Sequence, residues 1–264
     1  MIDQSLALSA RGVRMEYRDR STHQGFVALE SLDLDIRQGE FVSIVGPSGC
    51  GKTTFIKIVN GLLQATAGEI QLRKIGKGRE DAMVFQDASL FPWYTLVDNV
   101  SYGLVCSGVK RKEARERSVP FIKLVGLDGF ADKYPYELSG GMQQRANLAR
   151  ALAVDPSLLL MDEPFAALDS QTRELMQAEL LRIWNEAQKT VLFITHQIDE
   201  AVYLSDRVIV MSARPGRVLA DIRIEIPRPR SLDVKRTTEF VRYEEQIWRL
   251  IAKQIPAAQS GSEA

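Results

Sequence analysis

The sequence predicts an α/β fold built on a mainly parallel sheet, and two observations carry that prediction. Short apolar runs alternate along the 264 residues with longer amphipathic segments, the pattern of strands covered by helices. One run, Phe41-Val42-Ser43-Ile44-Val45, leads into a glycine-rich loop and then into helix-forming sequence at Thr54–Val59. That loop, Gly46-Pro47-Ser48-Gly49-Cys50-Gly51-Lys52-Thr53-Thr54, has the composition of a phosphate cradle. Glycines let the backbone curl until successive N–H groups face a phosphate, and a helix N-terminus adds partial positive charge. Lys52 adds a full charge, and Thr53 offers a hydroxyl to the Mg2+ that accompanies ATP or GTP. The loop predicts nucleotide binding and leaves its purpose open.

Five runs read as strands: Phe41–Val45, Ala82–Phe85, Leu158–Met161, Val191–Thr195 and Val208–Met211. Directly after the middle three stand Gln86, Asp162 and His196. In open parallel sheets ligands bind beyond the carboxyl ends of the strands, so these three converge on one site. Between Asp87 and Pro156 the texture changes to charged helical segments, Lys110–Val125 and Gly140–Ala153, which read as an inserted helical lobe. Leu175–Gln188 reads as an amphipathic helix, and Arg18–Gly25 as a polar loop. A last helix over Thr237–Lys253 lines up Phe240, Tyr243, Ile247, Leu250 and Ile251 for packing on the chain's own core. Residues 259–264 read as a disordered tail.

Composition narrows the class. With 45% hydrophobic residues, the length suits one large α/β domain or two lobes. Lysine plus arginine equals aspartate plus glutamate at 34 each, so no global positive field favours nucleic acid or an anionic membrane. Cys50 and Cys106 supply neither a disulfide framework nor metal-ligand spacing. No apolar run approaches the roughly 20 residues that span a bilayer. The N-terminus, with Asp3 and Arg11 around a weak apolar stretch, makes a poor signal peptide. The expectation is a cytoplasmic chain that meets a membrane only through a protein partner.

A second anion site is written at Leu138-Ser139-Gly140-Gly141-Met142-Gln143-Gln144-Arg145, where Ser139 is placed to cap a helix and the glycines bare its N–H groups. It lies between Gln86 and Leu158-Leu159-Leu160-Met161-Asp162-Glu163-Pro164, with Ala167-Leu168-Asp169-Ser170 and His196 beyond. In this order the motifs resemble those of an ATP-binding cassette ATPase over about residues 6 to 220. Val84-Phe85-Gln86-Asp87, Leu90–Val100 and Ser212-Ala213-Arg214-Pro215-Gly216-Arg217 look like the ATPases of nitrate, sulfonate and taurine importers. The stretch Gly68–Met83 departs from that pattern by keeping little of the usual Gly-rich turn.

The resemblance implies a P-loop NTPase (RecA-like) core over 1–87 and 157–230 with an antiparallel β subdomain. It also implies an α-helical subdomain over 88–156 and a C-terminal helix and tail over 231–264. It implies a homodimer, head to tail, in which Ser139, Gly140, Gly141 and Gln143 of one copy complete the ATP site on Gly46–Thr54 of the other. Tyr17 resembles the aromatic that stacks on adenine, although Val13, Met15 and Tyr17 also alternate as a core strand would. Asp162, with Thr53 and Gln86, is suited to hold Mg2+, while Glu163 orients and polarises the attacking water. Lys52 and His196 would serve the γ-phosphate, and Asp169 would couple the two sites. The aromatic patch Phe91-Pro92-Trp93-Tyr94 reads as lobe core or as a docking surface for a membrane subunit, with docking favoured.

The function so implied is ATP hydrolysis that powers uptake of a small solute through two membrane permease subunits, fed by a solute-binding protein. The ATPase would sit peripherally on the cytoplasmic face of the membrane. The alternative, a cassette ATPase acting on nucleic acid or the ribosome, calls for a long coiled coil, a zinc module or a basic stripe, and none is present in the sequence. A nucleotide-dependent scaffold that does not hydrolyse is disfavoured by Glu163.

Overall fold

The computed structural model describes residues 5–18, 25–73, 80–86, 89–166, 168–187 and 189–254. Residues 19–24 of the expected polar loop, residues 74–79 of the Gly68–Met83 stretch, Asp87, Ala167, Gln188 and the tail 259–264 lie outside them. In chain order the elements are β1 (Leu6–Arg18), β2 (Gly25–Arg37), β3 (Phe41–Val45), α1 (Lys52–Val59), β4 (Ala67–Leu72) and β5 (Asp81–Val84). Then come α2 (Leu96–Cys106), α3 (Arg111–Leu124), α4 (Gly140–Ala153), β6 (Leu158–Asp162), α5 (Ser170–Ala187) and β7 (Thr190–Ile194). The chain closes with α6 (Ile198–Leu204), β8 (Arg207–Met211), β9 (Val218–Arg223) and α7 (Thr238–Ala252). The chain folds as two compact units, residues 1–72 with 193–264 and residues 73–192.

In the first unit β1 is flanked by β2 and β4, antiparallel to both. Beside this small sheet β3 pairs in parallel with β8, Ile44 opposite Ile209, and β9 adds an antiparallel edge to β8. Every residue of β3 is buried, as expected of a strand covered on both faces. Phe41 packs its ring 5.9 Å from that of Phe193, and Phe55 and Ile56 of α1 are fully buried. Of the stripe expected on α7, Phe240, Tyr243, Ile247 and Ile251 are buried while Leu250 is half-buried at its edge, and the helix lies on α6 and β8. Burying each such side chain stabilises by about 1.5–3 kcal/mol.

In the second unit β5 pairs in parallel with β6, Val84 opposite Met161, and α2, α3 and α4 pack on one another. The expected helical lobe, 88–156, lies within this unit. Its pivot is Asp98, 9% exposed, whose carboxylate accepts from Arg111 at 3.0 Å and Arg115 at 2.9 Å. Burial opposes the charged form, but these guanidinium bonds and the Thr95 hydroxyl prevail and hold the carboxyl below its ordinary range.

Two helix starts differ from the sequence reading by two residues or more, while those of α3 and α7 differ by one. Helix α5 begins at Ser170 rather than Leu175, because Asp169 Oδ1 accepts from the N–H groups of Gln171 at 3.1 Å and Thr172 at 3.0 Å and caps an extra turn. Helix α1 begins at Lys52 rather than Thr54, since Gly51, at φ 101°, makes the turn into the helix.

Candidate functional site

The phosphate loop follows β3 without a break, and its shape is set by close contacts at its glycines. A methyl on Gly46 would come 2.9 Å from the Met211 carbonyl, and one on Gly51 would come 2.7 Å from Leu29 Cδ2. Ser48, Gly49 and Thr53 are exposed, while Cys50 is buried beneath them. Burial pushes the Cys50 thiol up, against the opposing charge of Lys52. Lys52 Nζ donates to the carbonyls of Gly46 at 2.9 Å and Pro47 at 3.2 Å, so the ammonium is held across the mouth of its own loop. Consecutive amides, a helix N-terminus and a fixed ammonium make a polyphosphate cradle.

Tyr17 stands at the end of β1 opposite Phe26 of β2, with ring centroids 5.4 Å apart. Its hydroxyl lies 3.3 Å from Thr54 Oγ1, so the exposed aromatic edge adjoins the first turn of α1. Val13 of the same alternating set is buried in the core, whereas Met15 and Tyr17 are half-buried. His196, two residues past β7 in the same unit, is exposed on the loop that enters α6. Beneath it the buried Thr195 hydroxyl donates to Glu200 at 2.5 Å and fixes that loop to α6.

The second unit carries the other motifs. Asp162 ends β6 and is 8% exposed. Glu163 follows with φ 46°, a left-handed conformation that non-glycine residues adopt at a cost of about 1–3 kcal/mol. It opens a tight turn closed by Ala166 N–H on the Glu163 carbonyl at 3.1 Å. Gln86 is exposed two residues beyond β5. Ser139 caps α4, accepting from Met142 N–H at 3.3 Å, and Ser139 and Gly140 are exposed at the helix start. Gln143 turns its amide back onto the carbonyls of Pro135 at 3.0 Å and Leu138 at 3.2 Å, bracing that start from behind. Asp169 is exposed, and its bonds to Thr172 hold its carboxyl below the ordinary range.

Three structural features were missed from sequence. Gln144 is buried on the inner face of α4 and donates to the carbonyls of Gln86 at 3.0 Å and Pro164 at 2.5 Å. Its signal was its place in the helix, on the face shared with buried Leu148 and Ala151. Asn99, fully buried, accepts from Phe91 N–H at 2.7 Å and donates to the carbonyls of Phe91, Tyr94 and Thr95, each at 3.1 Å. It thereby shapes the aromatic turn, where Phe91 packs 4.7 Å from Tyr102 while Trp93 remains 67% exposed. Gly216 packs on the phosphate loop, where a methyl would overlap the Cys50 carbonyl, a contact with no local signal.

Residues 29–166 match the family model described as ABC transporter. The nitrate import ATP-binding protein of Synechocystis sp. is 44% identical over 234 residues, covering 85% of this chain and 88% of that protein. The taurine import ATP-binding protein of Rhizobium johnstonii is 46% identical over 228 residues, covering 83% and 87%. A dimeric, post-hydrolysis ATP-binding cassette bound to ADP and Pi superposes with a TM-score of 0.70 at 32% identity, over 82% of this chain and 98% of that one. The fold is thus that of a P-loop cassette ATPase, and among the described residues no helix is long and apolar enough to cross a membrane. The chain belongs to the ABC transporter family, as an ATP-binding and ATP-hydrolysing subunit of the importer type.

Proposed function

We propose that this ATPase powers uptake of a small oxyanion, nitrate or a sulfonate such as taurine. The observation that supports the mechanism is that two glycine-bearing helix starts on one chain expose residues to solvent, Ser48, Gly49 and Thr53 at one and Ser139 and Gly140 at the other. A single nucleotide site needs one, so two identical chains facing head to tail would sandwich ATP between unlike cradles. Closure of that homodimer and its release after hydrolysis would drive two permease subunits at the cytoplasmic face of the membrane. Trp93, exposed on the signature-bearing lobe 88–156, supports docking there. A solute-binding protein would set the specificity, and the zero net charge supplies nothing for a nucleic-acid partner.

Within the site, Tyr17 would stack on adenine, and Gly46 to Thr54 would wrap the phosphates with Lys52 in reach of the γ-phosphate. Mg2+ would suit Thr53, Gln86 and Asp162, each of which carries a hard oxygen donor. This ion is usually held by one or two carboxylates together with substrate phosphates. It would neutralise charge on the phosphates. Glu163, held by its turn, would accept a proton from the attacking water, Gln86 would orient that water and His196 would contact the γ-phosphate. Ser139, Gly140 and Gly141 would act on the partner's nucleotide, with Gln143 bracing them and Asp169 linking the two sites.

The test is to purify the ATPase with its permease and to screen the solute-binding partner by thermal shift against nitrate, taurine and other sulfonates. Binding raises the melting temperature by mass action, and solute should also stimulate ATP turnover by the assembled complex. A partner stabilised only by an unrelated solute class would overturn the oxyanion reading.

A further inference from the structure

The loop that joins β8 to β9 touches the phosphate loop from outside, and its role is unassigned. Ser212 ties the loop into a compact turn: its N–H donates to the Arg217 carbonyl at 2.9 Å, and its hydroxyl bonds Pro215 and Arg217, each at 2.9 Å. Gly216 seats that turn, with its N–H on the Ala28 carbonyl at 2.9 Å and its carbonyl accepting from Glu30 N–H at 3.2 Å. At Gly216 the backbone runs against Cys50, Met211 and Leu29, leaving no space for a side chain. Neighbouring Arg214 is therefore delivered to a fixed place.

The Arg214 guanidinium lies over the exposed ring of Phe26, 4.5 Å from its centroid. A methyl on Gly49 would come 3.4 Å from Arg214 Nη2, so the cation borders the exposed part of the phosphate loop. Among the described residues no carboxylate is recorded within ion-pair distance of Arg214, although the same turn sends Arg217 to Glu30. An exposed cation held by an aromatic face, with no acid beside it among the described residues, is arranged for an external anion. The anion this family binds carries several negative charges, and Lys52 supplies one positive charge against them.

We propose that Arg214 is a further nucleotide-binding residue, which contacts the phosphate chain of bound ATP beside Gly49 and sets nucleotide affinity. Stacking on Phe26 limits the side chain's freedom before the ligand arrives, which lowers the ordering cost of binding. The inference rests on the chain's membership of an ATP-binding family and adds a contact on the loop's outer edge.

The experiment is a calorimetric titration of the full chain with MgATP and MgADP, for the parent, Arg214→Gln and Arg214→Lys, at low and high salt. Loss of a charge-assisted bond to phosphate predicts about tenfold weaker binding for Arg214→Gln, with the gap narrowing as salt rises. Arg214→Lys keeps the charge and should recover most of that loss, and both variants should melt with the parent in the absence of nucleotide. A Gln variant within twofold of the parent, or a Lys variant as weak as Gln, would overturn the proposal. A parent chain that bound no nucleotide would instead undermine the ATPase reading, so the two failures are distinguishable.

Discussion

Gln144 of the signature helix and Gln86 of the glutamine loop are joined by a hydrogen bond, amide Nε2 to backbone carbonyl, at 3.0 Å. The same amide donates to Pro164, the residue after Glu163, so one buried side chain links the loops on which Gln86 and Glu163 stand. Its Oε1 has no partner among the described residues, which leaves the amide's position set by its donors alone.

Replacing Gln144 with alanine removes the donor from the carbonyls of Phe85, Gln86 and Pro164 and should cost stability of about 1–3 kcal/mol. The informative readout is the split between steps: turnover should fall at least tenfold while MgATP affinity stays within twofold. Equal losses in both would mean that Gln144 acts on the fold as a whole.

Glu163→Gln preserves the size of the side chain and removes its basicity. Hydrolysis should drop by about 10²–10⁴-fold with ATP binding intact, the usual scale of general-base catalysis. Single-turnover hydrolysis and equilibrium nucleotide binding check this; near-parental turnover would remove Glu163 from the base role.

Gly216→Ala places a methyl against the Cys50 carbonyl, a backbone atom that cannot swing aside. Overpacking of this kind typically costs about 1–3 kcal/mol. The expected outcome is a lower melting temperature together with weakened MgATP binding, since the displaced atom belongs to the phosphate loop. Unchanged affinity in a folded variant would show that the loop tolerates the shift.

Asp98 gives a pH-dependent prediction. Its carboxyl titrates below the ordinary range in the fold, so its stabilising contribution is complete above the unfolded-state value of about 3.9 and is lost as pH falls through the lower folded-state value. Asp98→Asn should therefore melt below the parent at pH 7, with the difference shrinking as pH drops below about 4. A difference constant across that range would argue against the charged pairing with Arg111 and Arg115.

Trp93→Ala should weaken co-purification with the permease and leave the ATPase folded, because the ring is largely exposed while Asn99 holds the turn beneath it. Normal retention of the permease would assign the aromatic cluster to the lobe's own packing.

Much of this architecture is local in origin and was legible for that reason. Phe41–Val45 is a strand because five consecutive buried apolar or small residues fit a fully covered position, and Gly140–Ala153 is a helix because Ser139 caps it. The start of α5 was misjudged because the hydrophobic pattern begins late, whereas the Asp169 cap lies upstream of it. Periodicity reports burial, and a cap reports hydrogen bonding.

The sequence by itself determined the phosphate loop, the signature helix start, the Asp162-Glu163 strand end and their order, since each is a short run whose chemistry follows from adjacent residues. Only the tertiary structure decided which remote groups those motifs rest upon. That Gly216 abuts Cys50, that Arg214 borders Gly49 from the stack on Phe26, and that Gln144 holds Gln86 and Pro164 are meetings across 58 or more positions in the first, second and third cases' longest links. Such meetings depend on where the chain returns through space, and no spacing rule within one element encodes that return.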